Sequence, residues 1–494
     1  MKLVYLILIL LAGGLFSWVS GKWNRNLPRI IALIALTTDL IVLLLSGTSY
    51  DNNSWMLDFS TAWIPAFGIS LHLAMDGLSL LLLLITFVLG ILSVLVSWNE
   101  NRNTGFFYFN LLWILSGITG VFLAMDLFLF YFFWELMLIP MYFLISIWGH
   151  ENRVYASYKF FIYTQASGLL MLISIIALYF IHGNNTGVYT FDYQQLLGTT
   201  MPTSLSFVLM LGFLAAFLVK LPVVPLHNWL PDAHAEAPTA GSVILAGLLL
   251  KTGAYGLIRF VLPLFPEASV IFAPFAIVLG VVGILYGAML AFGQTDIKRL
   301  IAYTSVSHMG FVLLGVFVFN EMAFQGVIVQ ILAHAISTGA LFILAGQLHE
   351  RIHTRNILLM GGLWKQVPVT GAMWMIFAMA SLGLPGLGNF IAEFLILAGA
   401  YQSNILMACL ASAGIVAATL YSLRIVQKVM LGKASDWKVK DLSLREKFIS
   451  ALLLVLIVYL GLFPQRVLDT AKPVINKTLH SIEEVLPMNY GSLK

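Results

Sequence analysis

A chain of 494 residues that is 60% hydrophobic and only 10% charged is not an ordinary water-soluble globule, whose charged share is about 25%. Its apolar residues form long runs rather than an alternating pattern, which excludes a β-barrel and leaves an all-α polytopic membrane protein. The net charge of +4 is small, so where the charges sit says more than their sum.

In chain order, about fourteen spans of membrane-crossing length follow one another. They lie near 2–19, 28–46, 76–98, 106–123, 125–147, 157–181, 203–222, 239–260, 271–292, 299–319, 322–346, 369–400, 403–430 and 448–466. The first could pass for a signal peptide. No convincing small-residue cleavage site precedes the next helix, so it reads as a retained span. The seventh breaks at Pro222, and the twelfth breaks in Gly383-Leu384-Pro385-Gly386-Leu387-Gly388-Asn389. A membrane tolerates such breaks only where the freed backbone lines a cavity or is buried in protein.

The cations sort by side. Loops after odd-numbered spans hold most of the 26 Lys and Arg residues, among them Arg102, Arg153, Lys298, Arg299, Arg351 and Arg355. Loops after even-numbered spans hold only Arg259, while Lys2 and four cations of the C-terminal tail lie at the ends. The positive-inside rule makes the odd-to-even loops cytoplasmic and puts both termini on the opposite side. Two broken helices five spans apart suggest inverted repeats, spans 4–8 (104–262) and spans 9–13 (268–432). Helices 1–3 (1–103) would precede them, and helix 14 with a tail (433–494) would follow. Sequence self-similarity is thin: Tyr163-Thr164-x-x-Ser167 and Tyr303-Thr304-x-x-Ser307 match at a spacing that disagrees with Lys220 and Glu393, and the match reads as chance.

Several ionisable residues fall inside spans, where each charge costs roughly 3 kcal/mol or more. Glu135 lies midway through span 5, and Lys220 ends the first part of span 7. Burial disfavours the charge on each while mutual attraction favours both, so a shift of a few ångströms would make such a pair a switch. Lys220 could instead snorkel to the interface, and Glu135 could serve a structural ion pair. Lys251 is roughly mid-span and too deep to snorkel easily; its structural alternative is a partner for a backbone carbonyl. Glu393 follows the second break, at a place like that of Lys220 but with opposite charge, where the helix dipole also favours an acid. His308 and His334, in spans 10 and 11, could bridge lysine and glutamate, because imidazole titrates near neutral pH. Each alone is more often a hydrogen-bonded core residue.

Other polar groups fit blander readings. His227 and His234 in the Pro-rich segment could shape the loop or carry protons. Asp126 suits a helix N-terminus, Asp232 sits among turn residues, and Asp39 in span 2 has no evident role. His349-Glu350-Arg351-Ile352-His353 matches H-E-x-x-H, but Asn356 stands where the longer zinc motif needs glycine and no third histidine follows. No metal site is expected there. The N-x-S/T matches at Asn52, Asn184 and Asn476 are too short to count. The single cysteine, Cys409, supports neither a disulfide nor an iron–sulfur cluster, and no haem or dinucleotide motif is visible.

Three stretches carry a resemblance. They are Pro225-Leu226-His227-x-Trp229-Leu230-Pro231-Asp232-Ala233-His234-x-x-Ala237-Pro238-Thr239-x-x-Ser242, Phe133-Trp134-Glu135, and Thr295-Asp296-Ile297-Lys298-Arg299-Leu300-Ile301-Ala302-Tyr303 with Ser305, Ser307 and His308. Together they resemble the antiporter-like membrane subunits of respiratory complex I, over nearly the whole chain. The resemblance implies fourteen core helices with helices 7 and 12 broken. It also implies a Glu–Lys pair at Glu135 and Lys220 and a lysine in helix 8 at Lys251. Two such subunits have a lysine in helix 12 and a third has a glutamate, so Glu393 points to the third. The implied role is proton translocation as a non-redox subunit of NADH:quinone oxidoreductase. NADH, FMN, iron–sulfur clusters and quinone would be used in other subunits and no cofactor in this chain. Implied partners are the other membrane-arm subunits, especially the two other antiporter-like chains, and phospholipid; no nucleic acid is expected. A subunit of a multisubunit cation/proton antiporter, or a passive scaffold, are the alternatives.

Overall fold

The computed structural model describes residues 1–46, 55–433 and 437–485; Asn52 and Lys494 lie outside the described residues. Twelve helices among them are long and apolar enough to cross a bilayer. Leu444–Leu462, with its continuation Gln465–Glu483, makes a thirteenth. The expected twelfth span is two helices, Pro368–Ser381 and Gly388–Ser403, each too short to cross alone. The architecture is the expected all-helical one, with one exception. An antiparallel hairpin of β1 (Leu57–Ile64) and β2 (Ile69–Met75) sits between spans 2 and 3.

Acids open the helices as their sequence positions predict. Asp126 accepts from the backbone N–H groups of Phe128 and Leu129, and Asp296 from those of Lys298 and Arg299. Prolines place the interruptions. Pro140 has no N–H for the Leu136 carbonyl, and span 5 is broken at Met137 into Leu127–Leu136 and Leu138–Trp148. Span 7 ends at Lys220, and the chain turns through Pro222 and Pro225 into the short helix Trp229–Glu236. In span 12 the break uses Gly383 and Gly386, at φ of 80° and 93°, which residues with a Cβ rarely adopt.

Spans 8 (Thr239–Leu264), 10 (Ile297–Phe317) and 11 (Glu321–Ile352) are enclosed almost entirely by the others. Spans 1, 2, 6 (Arg153–Thr186), 9 (Pro266–Gly293) and 13 (Ile405–Met430) keep one face outward. The enclosed helices are apolar all round, as burial requires, and they carry Lys251, His308 and His334. Span 8 is π-helical at Leu245–Leu249 and Leu257–Val261, on either side of the α-helical turns that hold Lys251. Such local widening recurs at functional sites.

Two features read as tail and loop from sequence are more than that. Three of the tail cations, Arg466, Lys472 and Lys477, belong to the amphipathic helix Gln465–Glu483, bent 68° from the preceding helix. Lys298, counted among the loop cations, is fully buried and its Nζ donates to Ala237 O at 2.9 Å.

Candidate functional site

Lys251 Nζ donates to Ala246 O at 2.7 Å and lies 2.6 Å from His334 Nδ1. The His334 and His308 rings meet edge to face, 5.4 Å between centroids. His308 Nε2 is 3.0 Å from Ser381 O, at the end of the first half of span 12, and 3.7 Å from Glu393 Oε1 in the second half. Tyr421 Oη lies 3.3 Å from the same nitrogen, and Gln330 Nε2 donates to Glu393 Oε1 at 3.4 Å. Four of the six predicted residues therefore form one buried series, Lys251, His334, His308 and Glu393. All four are at most 2% exposed.

Polar atoms with no hydrogen-bond partner among the described residues accompany this series. They include His334 Nε2, His308 Nδ1, Glu393 Oε2, Ser381 Oγ, both amide atoms of Asn389, and the hydroxyls of Ser337 and Thr338. Asn389 stands one turn before Glu393, and Ser337 and Thr338 stand one turn after His334. Buried polar groups at this density are ordinarily satisfied by internal water, which also conducts protons between side chains.

The other two predicted residues are differently placed, and the direct Glu135–Lys220 pair read as an option from sequence is not formed. Among the described residues no hydrogen-bond partner meets Lys220 Nζ, which sits 5.2 Å from the Trp134 ring centroid and 5.4 Å from that of Phe160. Lys220 is buried, so it does not snorkel. Glu135 is half-buried; Tyr131 and Gln165 flank its carboxyl, and Gly168 leaves room for it. A Cβ on Gly168 would come within 2.8 Å of Glu135 Oε1.

His234 is fully buried and stacked on Phe342 at 4.4 Å, and neither ring nitrogen has a hydrogen-bond partner among the described residues. His227 packs against Tyr286 and Tyr303. Asp232 is a bridging acid, bound to Lys159 at 2.6 Å and to Arg299. Asp39 is buried, its two oxygens meet no hydrogen-bond partner among the described residues, and nothing in its described surroundings assigns it a role. His349 packs edge-on against His150 at 4.9 Å. Among the described residues no three His, Cys, Asp or Glu side chains gather as metal ligands.

Sequence reading missed Gln330, Tyr421 and the Ser381 carbonyl, which line the series. It also missed a buried cluster at the basic end, where Arg355 reaches Glu236 at 3.3 Å and Asp296 at 3.1 Å. Loop residue His150 lies in that cluster. Burial, then the charges of Lys298, His349 and Arg355, lower its pKa to about 3. No motif marks these residues; the signal was an unusual density of ionisable groups at the ends of spans 10 and 11.

A family profile described as NADH:quinone oxidoreductase/Mrp antiporter, TM matches residues 124–420. NADH-quinone oxidoreductase subunit M of Escherichia coli (strain K12) is 53% identical over 493 residues, 96% of this chain and 97% of that one. The subunit M of Pseudomonas aeruginosa is also 53% identical, over 98% of each chain. A chain of the solved respiratory complex I from Thermus thermophilus superposes with a TM-score of 0.89 at 30% identity, covering 98% of this chain and 100% of that one. The chain belongs to the NADH:quinone oxidoreductase/Mrp antiporter transmembrane family, within its group of NADH-quinone oxidoreductase M subunits.

Proposed function

We propose that this subunit carries no redox step and moves protons outward along Lys251, His334, His308 and Glu393, driven by quinone reduction elsewhere in the complex. The contact series from Lys251 Nζ to Glu393 Oε1 is the observation that carries this reading. In it, a proton taken from the cytoplasmic side loads Lys251. His334 takes it across the interface between the halves and His308 passes it on. Glu393, beside the second break, releases it to the far side.

Glu135 and Lys220 supply the control. They stand apart here, so each charge is free to respond to the other's approach. Closing them to about 4 Å would be worth about 4 kcal/mol at an effective dielectric constant of about 20. That is enough to change the proton affinity of a neighbouring lysine by orders of magnitude. Glu135 keeps part of its surface open on the isolated chain, which suits a neighbouring antiporter-like subunit as the agent that moves it. The membrane is the bacterial inner membrane, with phospholipid around the chain, the termini outside and the basic loops in the cytoplasm. The two halves, 104–262 and 268–432, act as inverted units about the route.

Lys251→Ala in the assembled complex tests the route. Proton pumping and coupled quinone reduction should fall together. Normal pumping would remove Lys251 from the mechanism. Lost assembly with normal turnover in what does assemble would leave it a structural role.

A further inference from the structure

One strongly bound pair takes no part in this route. Arg259 lies eight residues beyond Lys251 on span 8, about 12 Å further along the helix axis. Tyr255 stands between them, and Arg259 Nε donates to its hydroxyl at 3.3 Å. Arg259 forms a buried ion pair with Asp76. Asp76 is fixed in turn, because it caps span 3 (Gly77–Asn99) by accepting from Ser79 N at 3.0 Å. The hydroxyls of Ser79 and Tyr255 both donate to Phe122 O, at 2.7 and 3.1 Å. Spans 3, 4 (Thr104–Leu123) and 8 are thus tied at one point.

On the other side of that point is a cavity of about 480 Å³. Asp76 and Arg259 form its inner wall, and Thr200 and Lys477, both exposed, form its rim. The Trp55 ring lies 5.1 Å from the Arg259 guanidinium, and Lys477 Nζ lies 5.7 Å from the same ring. The helix Gln465–Glu483 presses directly on this corner: a Cβ on Gly77 would come within 1.8 Å of Thr470 O. The cavity is at the end of span 8 that carries the lone cation of the even-numbered loops.

We propose that the Arg259–Asp76 pair, covered by Trp55, seals the outer cavity from Lys251 and so forces release through the second half. Without it, the cavity would open toward Tyr255, one turn of span 8 from Lys251, and a proton on Lys251 could be exchanged with the outside along span 8. An arginine suits a seal. It does not give up its proton, so it cannot relay one, and its fixed charge in a poorly hydrated setting repels cations. Asp76 holds that charge in place across the gap between helices. The inference rests on the route proposed above.

The test uses the whole complex reconstituted in liposomes. Passive decay of an imposed pH gradient is followed with an enclosed pH dye and no NADH. Arg259→Gln should quicken the decay several-fold and lower the protons retained per NADH, with quinone reduction undiminished; Arg259→Lys, whose amine can give up its proton, should leak as well. Adding Lys251→Ala to Arg259→Gln should slow the decay back to the parental value. Asp76→Asn, which frees Arg259, should leak in the same way. Parental decay in assembled Arg259→Gln or Asp76→Asn complex overturns the proposal, and so does a leak that Lys251→Ala does not stop. If neither variant assembles, the pair is a structural bond and the proposal falls. Failure of the route itself appears in a different measurement, as normal pumping by Lys251→Ala alone.

Discussion

The breaks in spans 7 and 12 handle a buried charge in opposite ways. At the seventh span the break follows Lys220, whose amine is packed against aromatic rings with no hydrogen-bond partner among the described residues. At the twelfth, the carbonyl freed at Ser381 is taken up by His308, and Glu393 is met by His308 and Gln330. The charge at one break is isolated; the charge at the other belongs to a network that reaches Lys251. An isolated buried charge is unstable and responds strongly to a partner's approach, whereas a networked one is held and conducts. On the route proposed above, the difference suits Lys220 to control and the groups around Glu393 to conduction.

The sharpest way to break this contrast is to cut the network at its middle. His334→Leu keeps side-chain volume but removes the group between Lys251 and His308. Pumping in the assembled complex should fall about tenfold or more, since a positioned proton carrier contributes on the order of 10²–10⁴-fold to its step. An unaffected rate would mean that protons bypass the imidazoles.

The next probe compares the glycines beside the two acids. Gly168→Ala should displace the Glu135 carboxyl by a few tenths of an ångström at little cost in stability, because the crowded atom ends a flexible side chain. Gly383 has a φ of 80°, and a Cβ there would stand 3.3 Å from Glu393 Oε2. Gly383→Ala should therefore cost about 1–2 kcal/mol of stability through the left-handed backbone. If the first half is the controlling one, Gly168→Ala lowers turnover several-fold with an unchanged melting temperature, and Gly383→Ala lowers the melting temperature. Turnover and thermal unfolding of both complexes check this; the reverse pattern would reverse the assignment.

The smallest effect concerns the hairpin that packs beside the start of span 5. His72 on β2 lies 2.5 Å from Asp192 and 3.0 Å from Asp58. Burial works against its charge, but Asp192 and then Asp58 outweigh it and raise its pKa above 6.5. A raised histidine contributes stability that is complete below 6.5 and is lost as pH rises through the raised value. Hydrogen-exchange protection of β1 and β2 should decline over that range, and His72→Gln should abolish the pH dependence.

Much was legible in the chain itself. The apolar runs gave the helices, Pro222 and the Gly383–Asn389 stretch gave the breaks, and the buried ionisable groups gave the candidate route. The amphipathic helix Gln465–Glu483 was legible but overlooked: Val467, Ala471, Val474, Ile475, Thr478, Leu479 and Ile482 recur at helical spacing and are its buried face. The hairpin was harder, because most of β1 is exposed and its apolar alternation is weak. Lys298 could not be distinguished from a loop cation, since sequence gives its distance from a span and not its cover.

Sequence determined which helices are apolar enough to cross and which ionisable side chains fall within them, because hydrocarbon offers backbone and charge no hydrogen bonds and leaves few alternatives. Only the tertiary structure decided which of those side chains meet. Lys251 and His334 are 83 residues apart, and their contact depends on how two enclosed helices are rotated against each other. Rotation is set by packing over the whole bundle, and so the same sequence features left Glu135 and Lys220 apart while bringing His308 to Glu393.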